Sequence, residues 1–172
     1  PGHVLYPGRA LCGQLELADI GMPGPSLPEP DTWLNEPALW QADLPQLNAQ
    51  SHKYTRGHAL VVGGERMTGA SRLAARAAQR AGAGLVSMAV PSSVWPVYAS
   101  AMDSIMVAPW DDALTTDQRI RAWLVGPGAG LGEQTRRLTL ALLATQRPCV
   151  LDADAISSFA QQPQQLWAAL HE

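Results

Sequence analysis

The sequence predicts an α/β fold built on a doubly wound, mostly parallel sheet with helices on both faces. Short apolar runs alternate with helix-period segments at intervals of about 20 to 25 residues, the length that a helical crossover between parallel strands requires. Each run closes on glycine, proline or aspartate, the punctuation of a turn at a strand's carboxyl end. The best-formed helical segment is rich in alanine, which lets a helix sit close against a sheet.

The bulk properties narrow the partners. The 172 residues are 47% hydrophobic and 16% charged, a globular balance that argues against disorder. A net charge of −3 supplies no basic field to attract a nucleic-acid backbone, so nucleic acid is not expected. No stretch has the roughly 18 consecutive apolar residues of a membrane helix, and the start shows no basic segment followed by an apolar core. No membrane association and a cytoplasmic location are the expectations. Two distant cysteines, Cys12 and Cys149, carry no metal-ligand spacing and read as ordinary thiols. Pro1 in place of methionine suggests a segment of a longer product.

Taken in order, "CGQLELADIGMP" alternates apolar and polar residues at Leu15, Leu17 and Ile20, the period of a half-exposed strand. "GMPGPSLPEP" holds four prolines in ten residues, too many missing backbone donors for helix or central strand, and reads as a linker. "DTWLNEPALWQADLPQL" is too apolar for a free tether and reads as an arm of short helical turns packed on the domain C-terminal to it. "HALVVGG" is a buried strand. "GASRLAARAAQRAGAG" is a helix with Arg72, Arg76 and Arg80 on one face, Leu73, Ala74, Ala77, Ala78 and Ala81 on the other, and Gly82 as its C-terminal cap. "GLVSMAVP" is the second strand, "SVWPVYASAM" a short helix interrupted by Pro96, and "SIMVAP" the third strand. "TTDQRIRA" opens with capping residues and predicts a short helix. "WLVGPG" is the fourth strand, "EQTRRLTLALLATQ" a helix, "PCVLDAD" the fifth strand and "PQQLWAALH" a last helix.

In such sheets ligands bind at the carboxyl ends of the strands. Gly63 and Gly64, the stretch 126–132, and Asp152 and Asp154 all come directly after strands. "GERMTGAS" has P-loop glycine spacing, but Ala70 stands where the phosphate-binding lysine belongs, which rejects a P-loop. A dinucleotide fingerprint starting at Gly126 would put its third glycine at Leu131, and one starting at Gly128 would put it at Glu133, so it fails too. "GPGAG" is either a turn that offers backbone N–H groups to a ligand or a bare strand-to-helix connection. Asp152 and Asp154, two apart in an extended segment, would share a face for Mg²⁺ or a ribose; the other reading is a helix cap. His52 and His58 lack a paired acid, so no metal site is expected, while Lys53 or Arg56 could help hold phosphate.

Together "SHKYTRGHALVVGG", "TGASRLAARAAQRAGAGLVSMAVP", "LVGPGAG" and "VLDADAI" resemble, in order and spacing, the ADP- or ATP-dependent NAD(P)H-hydrate dehydratase family over residues 51–156. The resemblance implies a ribokinase-like fold and repair of damaged nicotinamide cofactor, in which nucleotide hydrolysis drives removal of water from hydrated NAD(P)H. "PGRALCGQLELADIGMP" resembles the end of an NAD(P)H-hydrate epimerase domain. The implied organisation is an epimerase-like tail at 1–23, a proline-rich linker and packing arm at 24–50, and the first part of a dehydratase domain at 51–172. Carried onto this sequence, the resemblance assigns Ala70, Gly126, Gly128 and Gly130 to the hydrated cofactor, with ADP or ATP and Mg²⁺ as further ligands and Asp152 and Asp154 at the edge of the cleft. Tyr54 departs from the family's glycine after "HK". The family's catalytic residues are expected beyond Glu172, so the fold would be incomplete at its C-terminal end, inactive alone, and dependent on that missing part or on a homo-oligomer. The alternatives are a sugar or vitamin kinase of the ribokinase class and a non-catalytic cofactor-binding module.

Overall fold

The computed structural model describes residues 2–21 and 31–170. All but the first residue of the proline-rich linker segment lies outside them. The chain divides into two units, Pro1–Gln46 and Leu47–Glu172.

The first unit holds a 3-10 turn at Gly8–Leu11, a one-turn helix α1 at Pro37–Trp40 and a 3-10 turn at Gln41–Asp43. Pro37 sits in the first turn of α1, where its missing N–H costs nothing. Trp40 Nε1 donates to Asn35 Oδ1 at 2.9 Å. The short helical turns expected of the arm are present. The strand expected around Leu15 and Leu17 is not: residues 15–20 take no regular structure, and Leu17 is fully exposed. An alternating segment becomes a strand only beside a ladder partner, and this one has none among the described residues.

In the second unit five parallel strands, β1 (His58–Val62), β2 (Leu85–Val90), β3 (Met106–Pro109), β4 (Ile120–Val125) and β5 (Cys149–Leu151), stand in the order β3-β2-β1-β4-β5. The crossovers are α2 (Thr68–Ala81) after β1, α3 (Trp95–Ala99) after β2, a 3-10 turn at Asp112–Thr116 after β3 and α4 (Glu133–Leu143) after β4. Helices α5 (Asp154–Ser157) and α6 (Pro163–Ala169) come after β5.

Strand alternation sorts the core by face. Val61, Val86, Met88 and Val90 pack with Ala75, Tyr98, Met102 and Ile105 under α2 and α3. On the other face Leu60, Val62, Trp123 and Val125 pack with Leu142 of α4 and Ala155 of α5. Phe159 and Leu166 close a third cluster with Leu143. The doubly wound expectation holds, with each face helix-covered over part of its width: Met106 is 54% exposed on the α4 face of edge strand β3, and Val150 is 57% exposed on the opposite face of edge strand β5.

Three local expectations are corrected. The buried side of α2 is Ser71, Ala74, Ala75 and Ala78, while Leu73, Ala77 and Ala81 face outward. Pro96 opens α3 in its first turn instead of interrupting it. Ile120, Arg121 and Ala122, expected in a helix, belong to β4, where Ile120 is buried and pairs with His58 of β1; the capping residues before them form the 3-10 turn. Gly82 does cap α2, at φ 110°. Among the described residues, no helix is long and apolar enough to cross a membrane.

Candidate active site

The carboxyl ends of the two central neighbours, β1 and β4, release the chain to opposite faces: α2 lies on one and α4 on the other. That divergence is the topological switch point at which open α/β sheets bind ligands.

Glycine is required at these strand ends by contact. A Cβ on Gly64 would stand 1.4 Å from the Gly128 carbonyl oxygen, and one on Gly128 would stand 2.1 Å from the Met67 carbonyl oxygen. The loop after β1 and the loop after β4 therefore run backbone against backbone. Gly126, at φ 126°, has the Asp152 carbonyl oxygen 1.7 Å from where its Cβ would be, so the turn after β4 also fits against the turn after β5.

The β1 loop is pinned from below. Tyr98, fully buried, donates its phenol hydrogen to the Gly64 carbonyl at 2.8 Å. Buried Ser71 then donates to the Tyr98 oxygen at 3.0 Å. The ring lies where a Cβ on Gly63 would be, with Tyr98 Cζ only 2.8 Å away. Ser93 Oγ donates to Glu65 Oε1 at 2.8 Å and ties the same loop to the end of β2.

The loop after β4 is held from two sides. On one, the Gly130 N–H donates to Asp154 Oδ2 at 2.8 Å and the Gly132 N–H to Ser158 Oγ at 3.2 Å. On the other, the Thr135 hydroxyl donates to the Gly130 and Ala129 carbonyls. Inside the bend, Ala129 N–H bonds the Gly126 carbonyl at 3.0 Å. Gly126 and Pro127 are buried, Gly128 and Ala129 half-buried, and Gly130 exposed.

The four residues assigned to the cofactor by resemblance are thus gathered at one end of the sheet. Gly128 abuts Met67, the residue before the first turn of α2, and that turn carries exposed Ala70. No side chain caps this 14-residue helix, so its first amides lack intrahelical partners. Asp152 and Asp154 are not the paired carboxylates expected of an extended segment. The strand ends at Leu151 and the backbone turns sharply at Ala153 (φ 42°, ψ −112°), leaving Asp152 exposed and swinging Asp154 to Gly130. Nor does Asp154 cap its own helix. Among the described residues, no three His, Cys, Asp or Glu side chains gather as a metal site. His52 accepts from the Tyr54 and Thr55 amides at Nδ1 and builds a turn.

Sequence reasoning missed Tyr98, Ser71, Thr135 and Ser158. Only Ser158 left a trace, four residues after Asp154 and so one helical turn along. A cavity of about 650 Å³ lies at the other end of the sheet, lined by Lys53, His58, Ser87, Met106, Asp117 and Arg119. It marks the stretch of the α4 face near β2 and β3 that no helix among the described residues covers. There His58 Nε2 lies 2.7 Å from Ser87 Oγ, and burial lowers the imidazole's pKa. Asp117 is held down to about 2, first by the Arg119 side-chain hydrogen bond. Burial raises the Cys149 thiol to about 11, which removes it as a thiolate nucleophile at neutral pH.

A family model described as NAD(P)H-hydrate dehydratase matches residues 59–171, a span that takes in both glycine loops and Asp154. The chain belongs to the NAD(P)H-hydrate dehydratase family. It is 36% identical to a bifunctional NAD(P)H-hydrate repair enzyme of Moorella thermoacetica, over 92% of this chain and 33% of the relative. It is 34% identical to the enzyme of the same description from Coxiella burnetii, over 96% of this chain and 36% of the relative. The chain therefore spans about a third of the length of these curated relatives. Among solved structures it resembles the ADP/ATP-dependent NAD(P)H-hydrate dehydratase of Bacillus subtilis co-crystallized with ATP/Mg²⁺, with TM-score 0.56 and 30% identity over 66% of this chain and 43% of that one. A ribokinase-like superfamily protein of Enterococcus faecalis gives TM-score 0.59 at 26% identity over 67% of this chain and 43% of that one. The fold of this NAD(P)H-hydrate dehydratase family member is thus ribokinase-like.

Proposed function

We propose that this chain is the cofactor-binding portion of an enzyme that returns hydrated NAD(P)H to NAD(P)H, driven by ADP or ATP with Mg²⁺. One observation carries the reading: in a member of this family, Ala70 and the glycines at 126, 128 and 130 converge where β1 and β4 part. At Gly126 and Gly128 the glycines serve the fit of loop on loop; Gly130 and Ala70 stand exposed at the same end of the sheet, the Gly130 amide and carbonyl already bonded to Asp154 and Thr135. The α2 crossover begins beside this loop, so the ligand would lie across the switch point.

Loss of water from the reduced ring, with phosphoryl transfer first making the hydroxyl a better leaving group, needs a base and a clamp on the nucleotide's terminal phosphate. Asp154 is committed to Gly130 and Cys149 stays protonated. We therefore assign both tasks to chain outside these residues, for which relatives about three times as long leave room. The same further chain, or a second copy, would cover the open sheet face over β2 and β3. The linker and arm at 24–50 would join this portion to an epimerase-like tail at 1–23, matching relatives described as bifunctional. A cytoplasmic location fits this reading.

The test is recovery of NADH fluorescence from its hydrate by the full-length protein, with ADP or ATP and Mg²⁺. Turnover supports the reading. Phosphorylation of a sugar or vitamin without dehydration would replace it with the kinase, and hydrate binding without either reaction would replace it with the binding module.

A further inference from the structure

We propose that Asp154 makes the exposed arc of the glycine loop a seat for hydrogen-bond donors and a place that turns phosphate away. A glycine turn in front of a helix ordinarily suggests anion binding, because its N–H groups point outward. Here the anion is built in. The Gly130 amide, on an exposed residue of the arc, already donates to Asp154 Oδ2 at 2.8 Å, and the Gly132 amide is taken by Ser158 at 3.2 Å.

Among the described residues no cation pairs with Asp154: the ion pairs there are Arg119 with Asp117 and Arg136 with Glu133. Its charge at the loop is therefore not neutralised. A phosphate approaching Gly130 would find that amide already taken and would meet a carboxylate within a few ångströms. A hydroxyl or amide N–H would meet an acceptor, since Asp154 Oδ1 has no partner among the described residues. The carboxylate is held there by covalent geometry: the turn at Ala153, φ 42°, aims it, and Ser158, four residues on, accepts from the Gly132 amide. A non-glycine residue at such a φ is costly and persists only where its surroundings fix it.

This inference rests on the cofactor-repair function proposed for the site and deepens it. The arc would take ribose hydroxyls or the carboxamide of the hydrated nicotinamide riboside, while the dinucleotide's phosphates lie elsewhere. Asp154 is thereby a specificity-determining residue of the site.

The experiment follows the Gly130 amide by ¹H–¹⁵N NMR in the full-length protein during titration with inorganic pyrophosphate and, separately, with NADH-hydrate. In the natural chain pyrophosphate should leave the Gly130 resonance in place and NADH-hydrate should move it. In Asp154→Ala, pyrophosphate should move it and bind about tenfold more tightly, the size expected from removing one screened like charge, while the hydrate should weaken by a similar factor. Asp154→Asn keeps an acceptor oxygen without the charge and should fall between; it also serves if the alanine variant does not fold. Pyrophosphate moving Gly130 equally in the natural and variant chains, or in neither, overturns the proposal. A chain that ignores NADH-hydrate yet shows the pyrophosphate contrast would instead discard the repair reading and leave the role of Asp154 standing.

Discussion

Tyr98 and His58 show how single side chains set conditions at the two ends of the sheet. Tyr98 carries a buried hydrogen-bond chain from Ser71 to the Gly64 carbonyl, so Tyr98→Phe leaves the buried Gly64 carbonyl without its partner and the Ser71 hydroxyl with only the Thr68 carbonyl at 3.3 Å. The expected loss is about 1–3 kcal/mol, read from urea unfolding, with weaker hydrate binding because the β1 loop is no longer fixed. At the other end, burial is the largest influence on His58 and lowers its pKa; the Asp117 carboxylate raises it and Arg119 lowers it further. Between the folded value and the unfolded one near 6.5, the unfolded chain binds more protons, so stability rises with pH. This contribution is fully present above about pH 6.5 and is lost as pH falls toward the depressed folded value. His58→Gln should flatten the stability profile in that window; an unchanged slope would assign the dependence to other groups.

Helix α2 shows what an element's sequence reveals and what it hides. Length, capping glycine and arginine spacing are readable because they are local to the helix. Which alanines face the sheet is not: counting Leu73 as core follows hydrophobicity, whereas the sheet admits only the small residues Ser71, Ala74, Ala75 and Ala78, and Leu73 is left 68% exposed. Ala75→Leu should therefore destabilise by roughly 1–3 kcal/mol, while Leu73→Lys should stay within about 0.5 kcal/mol; denaturant midpoints separate the two. The start of β4 is hidden in the same way, since Ile120 joins the sheet through a pairing with His58 that no local window contains. The site is legible as glycines and acids at strand ends. Its wiring is not, because the Gly130–Asp154 bond joins residues 24 apart whose meeting depends on β4 and β5 lying side by side.

At the scale of the molecule, every buried hydrophobic residue described lies in the unit Leu47–Glu172. The heat absorbed on thermal unfolding should accordingly match that unit alone at roughly 0.7 kcal/mol per residue near 60 °C. That is about a quarter less than the full chain would give, and a calorimetric enthalpy at the full-chain value would show ordered burial in the first unit as well. The strand order β3-β2-β1-β4-β5 has a consequence in time. The strand synthesised first stands in the middle, and its second neighbour, β4, arrives only about sixty residues later, the kind of long-range closure that slows folding. A ribosome-bound chain halted before Val125 has emerged should remain sensitive to protease, and one halted after Leu151 has emerged should resist it.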